Sequence, residues 1–245
     1  MLYGLLKSTL LGPPMRMTFR PRATGVERFP AEGPVLLVAN HQSFSDSLFM
    51  PLVAPRPVKF LAKSEYFTGS GLKGRLYSFF FRGVGSIPID RSSAKAADPA
   101  ISTALRLLAE GHVVGMYPEG TRSPDGRLYK GRTGVARIAL AARCPVVPCA
   151  ISGTERVQPT GAKIPRPARG HHGRVRVEFG APLDFSRYTG PDGEAWRRLE
   201  GTDAERAVLR AVTDEIMHTL MRMTGLEYVD IYATSVKKTA SRHPK

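Results

Sequence analysis

Short hydrophobic runs alternate along this chain with longer segments in which apolar side chains recur every three or four positions. Short apolar runs between turn residues predict buried strands, and the longer repeat predicts helices that bury one face. The predicted strands span residues 34–39, 57–63, 112–117, 144–151 and 174–180, and a short strand is expected before Asp90. The predicted helices span residues 99–109, 135–142 and 203–224, with a further amphipathic helix at 72–80. This alternation predicts a three-layer α/β domain whose mixed, mostly parallel sheet is flanked by helices.

The two ends of the chain are expected to lie outside this domain. Apolar residues at helical spacing predict a short amphipathic helix in residues 1–11, and the Pro13-Pro14 pair is expected to end it. This run is too short to cross a bilayer, which takes about 20 residues. A helix in the membrane interface, assisted by Arg16, Arg20 and Arg22, is one interpretation, and a helix that covers the core is the other. The predicted organisation is an interfacial helix and basic linker at 1–24, the α/β domain at 25–226 and a basic, disordered tail at 227–245.

Basic residues outnumber acidic ones, which gives a formal net charge of +15 and a pI near 10.3. Such a surface suits nucleic acid, an anionic membrane or a phosphorylated substrate. The sequence shows no zinc finger, helix-turn-helix or RNP signature, so nucleic acid is not the expected partner. Cys144 and Cys149 flank an extended segment too long for a disulfide, and two thiols alone make no zinc site. Both thiols are expected to be reduced, which suits a cytoplasmic face.

The candidate chemistry follows the predicted strand 34–39, in the stretch Asn40-His41-Gln42-Ser43-Phe44-Ser45-Asp46. On one helix, His41 and Asp46 would point roughly 140° apart, so they meet only if His41 lies on a strand-to-helix turn and Asp46 just inside the helix. An imidazole whose second nitrogen is held by a carboxylate is a pairing typical of a general base and the group that orients it. The alternative is a histidine near a helix cap and a solvated aspartate.

Three further segments follow in order: Gly85-Ser86-Ile87-Pro88-Ile89-Asp90-Arg91, Tyr117-Pro118-Glu119-Gly120-Thr121-Arg122-Ser123 and Val146-Val147-Pro148-Cys149-Ala150. Together with the first stretch, they resemble the glycerolipid acyltransferases of the 1-acylglycerol-3-phosphate acyltransferase (PlsC) type, over roughly residues 34–155. The resemblance implies direct acyl transfer with His41 as the general base, oriented by Asp46. No metal site and no resident cofactor are expected, because the acyl donor, acyl-CoA or acyl carrier protein thioester, is a substrate.

The resemblance also assigns substrate binding to charged and turn residues near the ends of predicted strands. They are Lys63, Arg91, Glu119, Gly120, Thr121, Arg122 and Lys130. Arg91 and Arg122 would bind the acceptor's phosphate, and Glu119 would accept hydrogen bonds from glycerol hydroxyls. Gly120 would let the backbone approach a ligand closely, and Lys63 would help to neutralise phosphate. Without the ordered segments, a solvated turn and surface ion pairs would explain the same residues.

The expected reaction transfers a fatty acyl group from acyl-CoA or acyl carrier protein to the free hydroxyl of 1-acylglycerol-3-phosphate, giving phosphatidic acid in phospholipid biosynthesis. The alternative acceptors are another lysophospholipid and glycerol-3-phosphate. A serine hydrolase using Ser43 or Ser45 is a rival enzyme, although the G-x-S-x-G segment is absent. The rival of another class is a non-catalytic basic protein that binds membranes or phosphate. The expected location is the cytoplasmic face of the cell membrane, where a peripheral or monotopic protein is attracted to anionic lipid.

Overall fold

The computed structural model describes residues 12–63, 71, 86–89, 97–162, 164–167 and 174–242. In this part of the chain the strands are β1 (Arg22–Thr24), β2 (Val35–Ala39), β3 (Val58–Lys63), β4 (Ser86–Ile89), β5 (Val113–Met116), β6 (Leu128–Tyr129), β7 (Val146–Ser152), β8 (Arg176–Phe179) and β9 (Tyr228–Val229). A seven-stranded sheet has the order β1-β8-β7-β2-β5-β3-β4, and β6 pairs with β9 in a second sheet. In the large sheet every neighbouring pair is parallel except β7 and β8. The predicted mixed, mostly parallel sheet is therefore confirmed.

The helices of the described residues are α1 (Gly12–Phe19), α2 (Asp46–Val53), α3 (Ala97–Ala109), α4 (Gly134–Ala142), α5 (Thr154–Val157), α6 (Ser186–Thr189), α7 (Asp203–Thr224) and α8 (Ala233–Arg242), with 3-10 turns at Val26–Arg28 and Arg197–Leu199. Helix α7 has the predicted bounds, since the Thr202 hydroxyl accepts a hydrogen bond from the Glu205 amide at 3.2 Å and Gly225 ends the helix with a φ of 66°. The predicted helix at 72–80 lies outside the described residues.

Strand β2 separates the two halves of the hydrophobic core. Leu36 and Val38 pack into a cluster with residues of α3, α4 and α7, whereas Leu37 and Ala39 join a second cluster that contains Phe49 of α2. Successive residues of a strand point to opposite faces, so β2 is covered by helices on both sides. This arrangement explains why all five of its residues are buried and why the sequence reads as a continuous apolar run. The three-layer prediction is confirmed.

Helix α1, which lies in the segment expected to be a basic linker, covers the core. Its Phe19 ring meets the Phe49 ring edge-on, with centroids 5.2 Å apart, and Met15 packs against the same cluster. The Arg16 guanidinium donates a hydrogen bond to the Leu52 carbonyl at 2.7 Å. The Pro13-Pro14 pair lies in the first turn of α1, and the prediction that it ends an earlier helix stays a prediction. The predicted interfacial residues 1–11 lie outside the described part of the chain, within which no helix is long and apolar enough to cross a membrane.

The prediction of a disordered tail at 227–245 is wrong as far as residue 242. Strand β9 pairs with β6, and α8 follows it. Ion pairs support the pairing, because Lys130 Nζ lies 3.0 Å from Asp230 Oδ1 and Arg127 Nη1 lies 3.3 Å from Glu227 Oε1. Ala233, at the start of α8, is fully buried. The composition of this segment is basic and polar, and its order depends on contacts with residues about a hundred positions earlier, which composition does not reveal.

Candidate active site

The candidate site lies where β2 and β5 end side by side. The register pairs Val38 of β2 with Met116 of β5, and Ala39 with Cys149 of β7. Residues 40–41 and 117–119 therefore leave the sheet at the same edge, and the carboxyl edge of parallel strands is where open α/β sheets bind ligands. The sequence placed the candidate site residues at the carboxyl ends of predicted strands, and the strand register now shows which of those ends lie side by side.

Asn40 fixes the start of the turn after β2. Its side-chain amide donates to the Ile151 carbonyl at 2.9 Å, and its side-chain oxygen accepts from the Ile151 amide at 2.8 Å. Asn40 is fully buried, and an asparagine side chain matches the donor and acceptor of one strand residue. This clamp to β7 was missed by sequence reasoning, which gave Asn40 no separate role.

His41 and Asp46 meet as the spacing predicted. The Nδ1 atom of His41 lies 2.9 Å from Oδ2 of Asp46, and His41 lies on the turn while Asp46 is the first residue of α2. The same oxygen accepts hydrogen bonds from the Gln42 and Ser43 amides, both at 2.8 Å. The Asp46 side chain is fully buried, whereas 16% of the His41 side chain is exposed. An ionised carboxylate only accepts hydrogen bonds, so the Nδ1 atom carries the proton and Nε2 is left as the basic nitrogen.

Tyr117 holds the face of the imidazole. The two rings are stacked, with centroids 3.8 Å apart and an angle of 9° between their planes. The Tyr117 hydroxyl lies 3.0 Å from the Ser47 hydroxyl of α2, and Phe60 of β3 stacks at a centroid distance of 5.6 Å. Burial raises the pKa of Tyr117 well above its ordinary value, and the charge of Asp46 adds to the effect. The phenol therefore stays neutral and acts as a fixed wall rather than as an acid or base.

Glu119 binds the backbone of the turn through both of its carboxylate oxygens. Its Oε1 atom accepts a hydrogen bond from the His41 amide at 3.0 Å, and Oε2 accepts one from the Tyr129 amide at 3.0 Å. The residue is fully buried. Burial raises its pKa to about 7, against the lowering effect of these two hydrogen bonds. Each carboxylate oxygen accepts one of these hydrogen bonds and keeps a further lone pair, so the predicted contact with glycerol hydroxyls stays a prediction.

The loop that follows Glu119 is tied to the catalytic turn. The Ser123 amide donates to the His41 carbonyl at 2.7 Å. Gly120 has a φ of 73°, and a Cβ atom there would lie 2.9 Å from the Arg132 side chain. The positive φ favours glycine at this position, and the close ligand approach expected from the sequence stays a prediction.

Arg122 and Lys237 place two positive charges beside this loop. The Lys237 ammonium of α8 donates to the Thr121 hydroxyl at 2.9 Å and to the Arg122 carbonyl at 2.5 Å. Partial burial lowers the pKa of Lys237, the nearby charge of Arg122 lowers it further, and Glu119 opposes both effects. Sequence reasoning missed Lys237, because it lies 116 positions after Thr121 in a segment that was predicted to be disordered.

The other predicted binding residues are placed differently. Lys130 pairs with Asp230 on the surface, so its charge is already engaged by the segment after β9. Lys63 is the last residue of β3, at the same edge of the sheet as the site, but its side chain lies outside the described part of the structure. Arg91 also lies outside the described residues. The phosphate-binding roles of Lys63 and Arg91 stay predictions.

The serine hydrolase alternative does not fit the geometry. The Ser43 hydroxyl donates to the Gln158 carbonyl at 2.8 Å and lies 3.0 Å from the Ser45 hydroxyl. Both serines are buried, at 2% and 0% exposure. Neither hydroxyl is hydrogen-bonded to His41 in the described contacts, and a serine nucleophile needs such a bond to the base. These serines shape the turn.

The sequence of this chain is similar to those of known acyltransferases. A family model described as Acyltransferase matches residues 20–152, which is more than half of the chain. A 1-acyl-sn-glycerol-3-phosphate acyltransferase of Limnanthes alba is 35% identical over 155 residues, covering 63% of this chain and 52% of that protein. The chloroplastic 1-acyl-sn-glycerol-3-phosphate acyltransferase LPAT1 of Arabidopsis thaliana is 30% identical over 164 residues, covering 66% of this chain and 43% of that protein.

More distant relatives include a 1-acyl-sn-glycerol-3-phosphate acyltransferase of Bacillus subtilis (strain 168), 27% identical over 159 residues, covering 64% of this chain and 70% of that protein. The chain thus matches about half the length, or less, of the plant relatives. The crystal structure of the 1-acyl-sn-glycerophosphate (LPA) acyltransferase PlsC from Thermotoga maritima superposes with a TM-score of 0.56 at 24% identity, covering 84% of this chain and 76% of that chain. This likeness confirms the α/β fold.

Proposed function

The chain belongs to the acyltransferase family, and from that premise we propose that it transfers a fatty acyl group from a thioester to the free hydroxyl of 1-acylglycerol-3-phosphate. The product would be phosphatidic acid, a step of phospholipid biosynthesis. The observation that carries the proposal is the His41 Nδ1 to Asp46 Oδ2 hydrogen bond of 2.9 Å, at the carboxyl edge of the sheet. The similarity to the 1-acyl-sn-glycerol-3-phosphate acyltransferases of Limnanthes alba and Bacillus subtilis supports the choice of acceptor.

The proton chemistry follows from the tautomer that Asp46 fixes. Nε2 of His41 removes the proton of the acceptor hydroxyl while that oxygen attacks the thioester carbonyl, so a C–O bond forms and the carbonyl becomes an oxyanion. Collapse of this intermediate breaks the C–S bond, and the imidazolium returns the proton to the leaving thiolate. The buried Asp46 carboxylate stabilises the imidazolium in between. General-base help of this kind contributes about 10²- to 10⁴-fold.

Rigid placement of the imidazole supports the same proposal. Asp46 binds the Nδ1 edge of the ring and Tyr117 stacks on its face. Glu119 accepts a hydrogen bond from the backbone amide of His41. Because these contacts exist before substrate arrives, little conformational entropy remains to be lost in the transition state. Arg122, half-buried beside the loop, would bind the acceptor's phosphate, and Lys63 and Arg91 are proposed to add to it.

The proposal places the reaction at an anionic membrane surface, on its cytoplasmic face. A net charge of +15 supports attraction to anionic lipid, and the acceptor is itself an amphiphile. Acyl-CoA and acyl carrier protein are both retained as donors, and no nucleic acid, metal or resident cofactor takes part in the proposed reaction.

Product analysis tests this function. Purified protein is supplied with 1-oleoylglycerol-3-phosphate and either oleoyl-CoA or oleoyl-acyl carrier protein, and phosphatidic acid is measured by mass spectrometry. Wild type should form it, and His41→Ala should form it at least about 100-fold more slowly. His112→Ala should match wild type, because His112 is 43% exposed and lies before β5 at the opposite edge of the sheet. Thioester hydrolysis without acceptor, or equal product from His41→Ala, would contradict the proposal.

A further inference from the structure

The segment after α7 is part of the site rather than an appendage. From residue 227 to residue 237 it contacts the stretch between β5 and α4 at successive points. The contacts are Arg127 with Glu227, Lys130 with Asp230, Arg132 with Tyr232 and Thr234, and Thr121 with Lys237. The series ends beside the loop that is bonded to His41 through the Ser123 amide. The segment thus delivers a charged side chain from α8 to the candidate site.

Lys237 has binding capacity that its own contacts do not use. An ammonium group has three donors, and two of them bind neutral oxygens, the Thr121 hydroxyl and the Arg122 carbonyl. Among the described residues no carboxylate forms an ion pair with it. The ammonium is therefore positioned and charged, and one N–H remains available to a ligand.

Arg122 contributes a second positive charge nearby, since the Lys237 ammonium donates a hydrogen bond to the Arg122 carbonyl. Its charge acts on Lys237 strongly enough to lower the pKa of that lysine, after the effect of burial. Two cations held close together repel each other unless an anion binds between them. The neighbouring Glu119 carboxylate offsets only part of this repulsion: its charge raises the pKa of Lys237 less than Arg122 lowers it, and its two oxygens bind the His41 and Tyr129 amides.

We propose that Lys237 is a substrate-binding residue whose ammonium, together with Arg122, binds a phosphate monoester beside His41. The proposal rests on the proposed function for the source of that phosphate, which is the acceptor headgroup or the 3′-phosphate of coenzyme A. Both have the same chemistry: a compact dianion that accepts charge-assisted hydrogen bonds from an ammonium and a guanidinium. Thr121 acts as a positioning residue, because its hydroxyl fixes the direction of the ammonium.

Calorimetric titration at constant ionic strength tests the binding without turnover. Glycerol 3-phosphate is compared with glycerol, and coenzyme A with dephospho-coenzyme A, on wild type, Lys237→Gln, Lys237→Arg and the control Arg28→Gln. Arg28 is 50% exposed and lies in the 3-10 turn Val26–Arg28, before β2 at the opposite edge of the sheet. Loss of one charge-assisted hydrogen bond should weaken one phosphate ligand about 10-fold in Lys237→Gln, and by less than about 3-fold in Lys237→Arg.

The ligand whose affinity falls in Lys237→Gln shows whether Lys237 binds the phosphate of the acceptor or that of coenzyme A. Unchanged affinity of Lys237→Gln for both phosphate ligands overturns the proposal, as does an equal loss in Arg28→Gln, which would reveal a general charge effect. A wild-type protein that binds neither phosphate ligand better than its dephosphorylated partner also overturns it.

A second measurement needs no variant and so does not depend on folding of Lys237→Gln. Acetylation of Lys237 in the wild-type protein by acetic anhydride, followed by peptide mass spectrometry, should slow at least about 3-fold with saturating glycerol 3-phosphate or coenzyme A. Lys59 of β3 is the internal reference and should react at an unchanged rate. Equal acetylation of Lys237 with and without ligand contradicts the proposal.

Kinetics separate this proposal from the proposed function. If wild type transfers acyl groups, Lys237→Gln should raise KM for the phosphate-bearing substrate about 10-fold and leave kcat nearly unchanged. A lower melting temperature with equal losses for both substrates would show a structural role and overturn the proposal. If wild type transfers no acyl group, the proposed function fails, and the titration still decides whether Lys237 binds phosphate.

Discussion

The imidazole of His41 lies flat against the ring of Tyr117, with centroids 3.8 Å apart, while its Nδ1 edge is held by Asp46. The ring is thus constrained on a face and at an edge, and Nε2 points in one fixed direction. Tyr117 in turn is anchored by the Ser47 hydroxyl at 3.0 Å and by Phe60. The orientation of the proposed base therefore depends on aromatic packing as much as on the carboxylate.

Two substitutions of Tyr117 distinguish the contribution of its ring from that of its hydroxyl. Tyr117→Phe keeps the stacking and loses one hydrogen bond, so kcat should stay within about 3-fold and stability should fall by about 1 kcal/mol. Tyr117→Ala leaves a cavity against His41, and we expect kcat at least about 10-fold lower and a loss of about 3–5 kcal/mol in unfolding free energy. Steady-state kinetics and urea unfolding measure both. A wild-type kcat in Tyr117→Ala would contradict the role given to the ring.

Asp46→Asn tests the carboxylate. Asparagine carries no charge to stabilise the imidazolium, and its side-chain amide can donate to Nδ1, which favours the tautomer with the proton on Nε2. We therefore expect kcat to fall by roughly 10³- to 10⁴-fold, the order known for an equivalent change in serine proteases. Asp203→Asn is the matched control, because Asp203 is also the first residue of a helix but is 95% exposed. Its kcat should equal that of wild type. Similar losses in both variants would show that helix electrostatics, rather than the contact with His41, explains the effect.

Glu119 predicts a pH dependence of stability. Its pKa is raised by burial from 4.5 to about 7, so the folded protein binds this proton more tightly than the unfolded chain does. Ionisation of Glu119 therefore destabilises the fold as pH rises. The loss of stability is absent below the pKa of the unfolded chain and complete above the pKa of the folded protein. Over that interval it amounts to about 3 kcal/mol.

Urea unfolding between about pH 5 and pH 8 measures this linkage. The stability of wild type should fall with pH more steeply than that of Glu119→Gln, which has no charge to bury. The variant should be less stable than wild type at low pH, because an amide offers one acceptor to two backbone donors, the His41 and Tyr129 amides. Parallel pH profiles for the two proteins would rule out Glu119 as the source.

The two hydrogen bonds between Asn40 and Ile151 are expected to stabilise the fold. Asn40→Ala removes two buried hydrogen bonds to Ile151 and should lower the unfolding free energy by about 2–3 kcal/mol. Asn40→Asp retains the acceptor but not the donor, and its deficit should grow with pH as the carboxyl ionises near the Ile151 carbonyl. A stability of Asn40→Asp that does not change with pH would contradict this geometry.

The sequence predicted those parts of the site that depend on local order. The five-residue spacing of His41 and Asp46 required a turn and a helix start, and the structure has both. Helix α7 was predicted at its observed bounds, because Thr202 and Gly225 mark its ends and apolar residues recur along one face. Buried strands such as β2 were visible as continuous apolar runs.

The parts that were missed depend on contacts between distant residues. The hydrogen bonds of Glu119 to the His41 and Tyr129 amides were missed, because a sequence does not show which backbone amides surround a carboxylate. Lys237 was placed in a disordered tail, since the partners of that tail lie more than a hundred positions earlier. The clamp between Asn40 and Ile151 spans 111 positions and requires the sheet order for its recognition.

The rate of a single turnover in His41→Ala tests the central claim most directly. Enzyme in excess over radiolabelled 1-oleoylglycerol-3-phosphate is mixed with saturating oleoyl-CoA or oleoyl-acyl carrier protein, and phosphatidic acid is followed by rapid quench. We predict a rate constant about 10²- to 10⁴-fold below that of wild type, with an unchanged dissociation constant for the acceptor and an unchanged melting temperature. A rate constant within a few-fold of wild type would contradict the assignment of His41 as the base.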